Sequence, residues 1–220
     1  MLTLSLFGGE TPLRRVLAIG CHSDDVEIGC GGTILSLTRA RADLEVTWVV
    51  LGAHGDREAE ARASAEEFLE GAGRAEVLVH GFRDAFMPFH GEEVKEAFED
   101  LKRAEPDLVL THTRDDRHQD HRLACELTWN TFRDHLILEY EVPKWDGDLG
   151  RPNVYVPLDD DLVARKLELV LRHFPTQAGK HWYDEETFRG LMRLRGLECA
   201  SPSRYAEAFY APKAVLETVG

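Results

Sequence analysis

The chain has no long uncharged apolar run, no Cys-x-x-Cys pair and no basic excess. Each of these absences removes a class of function. No stretch approaches the roughly twenty apolar residues of a membrane-spanning helix. Nor does a basic segment precede the short apolar start, MLTLSLFGGETPLRR, so it reads as a leader and not as an export signal. The four cysteines, Cys21, Cys30, Cys125 and Cys199, are too scattered for a cysteine zinc site. They read as packing residues with reduced thiols, which places the chain in the cytoplasm. With 26 Lys and Arg against 40 Asp and Glu the net charge is -14, which argues against nucleic acid and anionic membrane as partners. An anionic small molecule stays open, because local arginines suffice to bind one. Internal repeats and low-complexity tracts are also lacking. The 220 residues are ordinary in hydrophobic and charged content and suit one domain over residues 1–220.

What is present is an alternation. Val16–Ile19, Leu44–Leu51, Ala75–His80 and Asp107–Thr111 are short hydrophobic or β-branched runs that read as strands. Between them lie helix-forming segments: Ile34–Ala40, the alanine- and glutamate-rich Arg57–Glu70, and Glu92–Ala104, which Pro106 stops. Further on, Arg122–Asp134 reads as helix and Leu136–Tyr140 as strand. Glu141–Pro157 is a long Pro-, Gly- and Asp-rich loop with a short strand at Val154–Val156. Helices follow at Asp159–His173 and Glu185–Arg195, then a final strand region over Tyr205–Leu216 interrupted at Pro212. Strand alternating with helix predicts an α/β fold, Rossmann-like, a mostly parallel sheet with helices on both faces.

Two of these strands run abruptly into polar loops. The first delivers His22, Ser23, Asp24 and Asp25, and the second His112 through His121, with the spacing His118-x-Asp120-His121. Open α/β sheets place ligands at the carboxyl ends of strands, so neighbouring strands bring both loops to one edge. Carboxylates crowded beside histidines need a cation, or a role in acid–base chemistry, to be held together. Two imidazoles and one carboxylate drawn from His22, Asp24, Asp25, His118, Asp120 and His121 suit zinc or ferrous iron with one position open to water. A remaining carboxylate can take the water's proton and a remaining histidine can assist the leaving group. The other histidines have no such company, apart from His112 at the mouth of the same strand. Gly29, Gly31 and Gly32 do not match the G-x-G-x-x-G spacing of a dinucleotide site. They read as a tight turn beside the metal that starts the next helix.

The segment CHSDDVEIGCGGT resembles the A-H-P-D-D-x-E-x-G-x-G-G-T signature of the LmbE-like, or PIG-L, deacetylases, and RHQDH resembles their H-x-x-D-H signature. Arg57–Leu69 is similar to the family's R-x-x-E-A helix, and His173–Gln177 to its H-x-S-Q element. Arg195-Gly196 and Ala206–Phe209 resemble its C-terminal pattern. The similarity spans nearly the whole chain. It implies metal-dependent hydrolysis, by a zinc-type centre or another divalent ion such as Fe2+, of the N-acetyl group of an N-acetylglucosamine-like amino sugar. It further implies His22, Asp25 and His121 as metal ligands and Asp24 as general base. His118 would protonate the leaving amine or stabilise the oxyanion, with Asp120 orienting it. Arg57 and Gln177 fall at the substrate on the same comparison, and the long loop adds Lys144, Trp145 and Arg151 as selectivity residues. Cys21 and Ser23 stand where the family carries alanine and proline, and Asp116 where some members carry tyrosine.

Two other readings of the loops stand beside this one. His22-x-Asp24 with a distant His121 also spells a ferrous oxygenase triad, although such sites are commonly found in all-β folds. A non-catalytic sugar- or nucleotide-binding module leaves the crowded aspartates and histidines without a purpose. A homo-oligomer is compatible with all three.

Overall fold

A computed structural model describes residues 3, 5, 6 and 13–215. The strands are β1 (Arg15–Gly20), β2 (Glu45–Val50), β3 (Arg74–Val79), β4 (Leu108–His112), β5 (Leu136–Tyr140), β6 (Val154–Pro157) and β7 (Ala206–Tyr210). The helices are α1 (Asp25–Ala40), α2 (Asp56–Phe68), α3 (Gly91–Asp100), α4 (Gln119–Thr131), α5 (Asp160–His173) and α6 (Glu185–Glu198). The strands form one sheet in the order β3-β2-β1-β4-β5-β7-β6. From β3 to β5 every pairing is parallel, while β7 runs antiparallel to both β5 and β6.

Alternation along the strands splits the core into two layers. Val16, Ala18, Trp48, Leu110 and Leu138 face one layer with α1, α2, α5 and α6. Leu17, Ile19, Val49, Val109 and Ile137 face the other with α3 and α4. Strands buried on both faces read as continuous apolar runs, as β1 and β4 do. The expected parallel α/β sheet with helices on both faces is therefore what the chain forms. The strand order reverses between β1 and β4, so a crevice opens outside their carboxyl ends.

Three elements differ from the sequence reading. The glycine segment is not a turn: α1 starts at Asp25, and Gly29, Gly31 and Gly32 lie inside it. The glycines serve packing. A Cβ on Gly29 would stand 2.1 Å from Tyr140 Cδ2, and one on Gly32 2.5 Å from Leu158 Cδ1, so only glycine lets α1 settle this close to the sheet. The helix expected to end at Ala104 gives way to a 3-10 turn over Leu101–Ala104. The final strand stops at Tyr210, two residues before the proline; Leu216, the end of the expected region, and most of the leader lie outside the described residues. Among the described residues no helix is long and apolar enough to cross a membrane.

Candidate active site

The loops after β1 and β4 meet in the crevice, and three ligand-type atoms converge there. His22 Nδ1 lies 3.1 Å from His121 Nε2. Asp25 Oδ2 is 3.3 Å from each of these two nitrogens. The far nitrogens of both rings face carboxylates. His22 Nε2 is 3.0 Å from Asp84 Oδ1 and 3.3 Å from Asp120 Oδ2, and His121 Nδ1 is 2.9 Å from Asp116 Oδ2. A carboxylate accepts, so the far nitrogens carry the protons of the neutral rings. Two imidazole lone pairs and a carboxylate oxygen then face one another with no donor between them. Such an arrangement is repulsive unless a cation sits inside it. Tetrahedral zinc with ligands at about 2.0–2.2 Å requires ligand atoms roughly 3.3–3.6 Å apart, close to the separations seen. The residues fit a divalent metal, and carboxylates behind metal-bound imidazoles are the usual way to set ring tautomer.

The electrostatics agree. Burial pulls the His22 and His121 pKa values down, but Asp25 and the hydrogen-bonded carboxylates more than reverse this and hold both above the ordinary range. Asp25 is held well below its ordinary value: burial opposes ionisation, and His121, His112 and His22 overcome it. Positive charge is thus drawn to this point, and a metal competes there with protons.

The second rank of residues is now visible. His112 accepts from the Cys21 backbone N–H at 3.1 Å and stacks on His121 with ring centroids 3.8 Å apart. Burial, then the neighbouring His121, brings its pKa down to about 4, so it stays neutral. Asp116 Oδ1 accepts from the His118 backbone N–H at 2.8 Å, and its Oδ2 accepts from Lys144 Nζ at 2.9 Å in addition to His121. One carboxylate therefore ties a candidate metal ligand to the 141–157 loop. Asp116→Asn should lower metal affinity about 10- to 100-fold, the range for such supporting carboxylates. Chelator competition on the metal-free protein measures this; an affinity within twofold of the parent would show that Asp116 does not support the ligand.

Asp24 is the N-cap residue of α1 and is buried. Its Oδ1 lies 3.4 Å from an Arg57 nitrogen, while Oδ2 has no hydrogen-bond partner. The carboxylate that meets the two imidazoles is thus that of Asp25, and Asp24 stands beside it with a free oxygen. His118 caps α4, its Nδ1 accepting from the Asp120 backbone N–H at 3.3 Å. That bond leaves the ring proton on Nε2. The Asp120 carboxylate does not turn to His118. It accepts from Ala85 N at 2.7 Å and Met87 N at 3.2 Å and backs His22.

A cavity of about 260 Å³ opens over this cluster. Arg57, Lys144 and Trp145 line it, together with Asp84, Lys180 and Trp182, which carried no sequence signal. Gln177 is buried and Arg151 exposed, and neither is among the described residues that line it.

Comparison with known proteins follows the same geometry. The family described as PIG-L: GlcNAc-PI de-N-acetylase matches residues 17–132, which holds both strand-end loops. The chain belongs to the PIG-L family. Like its family it is a deacetylase, a hydrolase of N-acetyl amides. It is 25% identical over 186 residues to the uncharacterized deacetylase YaiS of Escherichia coli K12, covering 79% of this chain and 97% of that one. The N,N'-diacetylchitobiose deacetylase of Pyrococcus horikoshii has a similar fold, with TM-score 0.69 and 24% identity over 90% of this chain and 83% of that chain. GalB of Pseudomonas putida KT2440, a 4-carboxy-2-hydroxymuconate hydratase, shares it too, with TM-score 0.68 and 18% identity over 94% of this PIG-L chain and all of GalB. The fold thus carries more than one chemistry, and the substrate has to be argued from the site.

Proposed function

We propose that this PIG-L deacetylase releases acetate from the acetamido group of an N-acetylglucosamine-like sugar or its conjugate, using a divalent metal, zinc or ferrous, held by His22, Asp25 and His121. The observation that carries this is the trio of acceptor atoms 3.1–3.3 Å apart, with the ring protons committed to the far side. When bound there, the metal supplies Lewis acidity to water and to the acetamide carbonyl. The chain's own groups do the rest. Asp24 Oδ2, free of other partners, takes a proton from the attacking water as the oxygen bonds to the carbonyl carbon. His118, with Nδ1 occupied by the Asp120 N–H, presents Nε2–H to the carbonyl oxygen as charge develops there. Of the two roles open to His118, this bond favours oxyanion stabilisation, because a ring fixed as a neutral donor has no spare proton for the amine. As the C–N bond breaks, Asp24 passes its proton to the departing nitrogen, giving acetate and a free amine. Arg57, 3.1 Å from Ser23 Oγ and close to Asp24, holds the base in place at the cavity wall.

The test is acetate release from a panel of N-acetylglucosaminides before and after chelation. Activity should vanish with the metal and return with added zinc or ferrous ion. Turnover that persists in metal-free protein would overturn the reading, as would oxygen uptake without acetate.

A further inference from the structure

One wall of the cavity has no regular structure of its own. Val142, Lys144, Trp145 and Asp146 line the cavity, yet residues 141–150 form neither helix nor strand. A staple at the base of this excursion holds it. Glu141 and Arg195 are both buried. Arg195 Nε donates to Glu141 Oε2 at 3.0 Å and Nη2 to Oε1 at 2.9 Å, so the guanidinium meets the carboxylate with two nitrogens. The same Nη2 reaches the Gly150 carbonyl at 3.2 Å, and the Gly150 N–H donates to Glu141 Oε1 at 3.0 Å. Tyr210 of β7 donates its hydroxyl to that oxygen at 2.8 Å. Two positions nine residues apart are thereby closed on each other, with α6 and β7 holding the closure.

The far end of the excursion is tied separately. Asp148 accepts from Lys144 Nζ at 2.7 Å and from the Arg117 N–H at 2.8 Å, and Lys144 goes on to Asp116 at 2.9 Å. Trp145 stacks on His181, with ring centroids 5.5 Å apart. These ties place the tip, while the staple fixes where the loop enters and leaves. An ion pair that only fastened α6 to the sheet would need no contact with Gly150. Neither Arg195 nor Tyr210 lines the cavity, and both lie beyond the matched residues 17–132. A lysine at 195 would keep the buried charge but lose the planar fork that spans Glu141 and Gly150 together.

We propose that Arg195 is a positioning residue for the reaction: through Glu141 and Gly150 it keeps the 142–149 wall ordered before substrate arrives. The kinetic arm of the test rests on the amino-sugar deacetylase reading above; the structural arm is read on metal-free protein without substrate. A wall ordered only a fraction of the time lowers apparent affinity by that fraction. Fluorotryptophan NMR reads the fraction from the Trp145 resonance, assigned with Trp145→Phe, while the Trp48 resonance reports the core. The proteins are the parent, Arg195→Lys, Tyr210→Phe and Arg189→Gln, the last a control on the same helix that breaks a pair with Glu185. Arg195→Lys should move about nine-tenths of the Trp145 signal to a second position and leave Trp48 unchanged. Its KM for acetate release from an N-acetylglucosaminide should rise about tenfold, in proportion to that displaced share, with kcat within about threefold of the parent. Tyr210→Phe removes one donor, keeps the ion pair and should place a smaller share at the same second position. Arg189→Gln should match the parent in both readouts. A Trp145 signal unmoved in both Arg195→Lys and Tyr210→Phe would overturn the proposal. So would a KM unmoved while Trp145 is displaced, or an equal displacement in Arg189→Gln, which would make any loosening of α6 sufficient. A parent that releases no acetate would overturn the deacetylase reading instead, and the Trp145 signal would still decide whether Arg195 orders the wall.

Discussion

Replacing Asp24 with asparagine is expected to cut turnover by about two orders of magnitude or more, the scale of a lost general base, while metal content and fold stay intact. The expectation follows from a division of labour between adjacent carboxylates. Asp25 Oδ2 faces His22 and His121, and it also accepts the His22 backbone N–H at 2.7 Å. Asp24 makes none of these contacts and keeps one buried oxygen free. Burial, and next the charge of Asp25, push the Asp24 pKa up; Arg57, His22 and Lys180 oppose this. A base works only when ionised, so activity should rise with pH through the apparent pKa of Asp24. The residual activity of Asp24→Asn should lack that acid limb. Asp25→Asn should instead lose the metal itself. Elemental analysis and steady-state kinetics on both proteins decide the matter. The roles are wrong if Asp24→Asn turns over near normally, or if it loses metal while Asp25→Asn keeps it.

Much of this centre is legible in the sequence, for a physical reason. A parallel strand buried on both faces must end where the sheet ends, and β1 and β4 end in His22-Ser23-Asp24-Asp25 and in the loop to His121. Hydrophobic runs breaking into clustered carboxylates and imidazoles mark that edge without any coordinates. The partners of those groups are harder to see. Asp84 lies in a segment without periodicity, some sixty residues from His22 in sequence, and only folding brings the two to 3.0 Å. Lys180 is one residue in a loop, and only the fold sets it at the cavity that holds Asp24. The glycines of α1 illustrate the opposite difficulty. Their composition suggests a turn, but Tyr140 and Leu158 press on the helix so closely that glycine is required within it. Packing overrides helix propensity here, a cost of about 1 kcal/mol per glycine relative to alanine.

The second large effect concerns stability, and it originates on the far side of the same helix. Lys166 of α5 and Glu207 of β7 form a buried ion pair at 2.6 Å. Both also reach into the middle of α1. Lys166 Nζ donates to the Ile28 carbonyl at 2.7 Å, while Glu207 accepts from Gly32 N at 2.8 Å and Thr33 N at 2.6 Å. The Ile28 carbonyl and the Gly32 N–H are the two ends of one rung of a regular helical ladder. Here each has a charged partner, and the absent side chain of Gly32 gives the Glu207 carboxylate room to approach. Two oppositely charged groups, both desolvated and both hydrogen-bonded, tolerate the loss of neither alone. Lys166→Met and Glu207→Leu should therefore each cost about 3–5 kcal/mol, because each strands the other's charge in the interior. That is a large fraction of the stability of a typical domain. The double variant, Lys166→Met with Glu207→Leu, should cost clearly less than the sum of the two, since it leaves no buried charge unpaired. Denaturant midpoints of the metal-free proteins measure all three. The ion pair has no such role if either single change costs under about 1 kcal/mol, or if the two costs simply add. Because α1 presents Asp24 and Asp25 from its first turn, the single variants should also bind metal more weakly, tying the stability of this helix to the order of the site at its end.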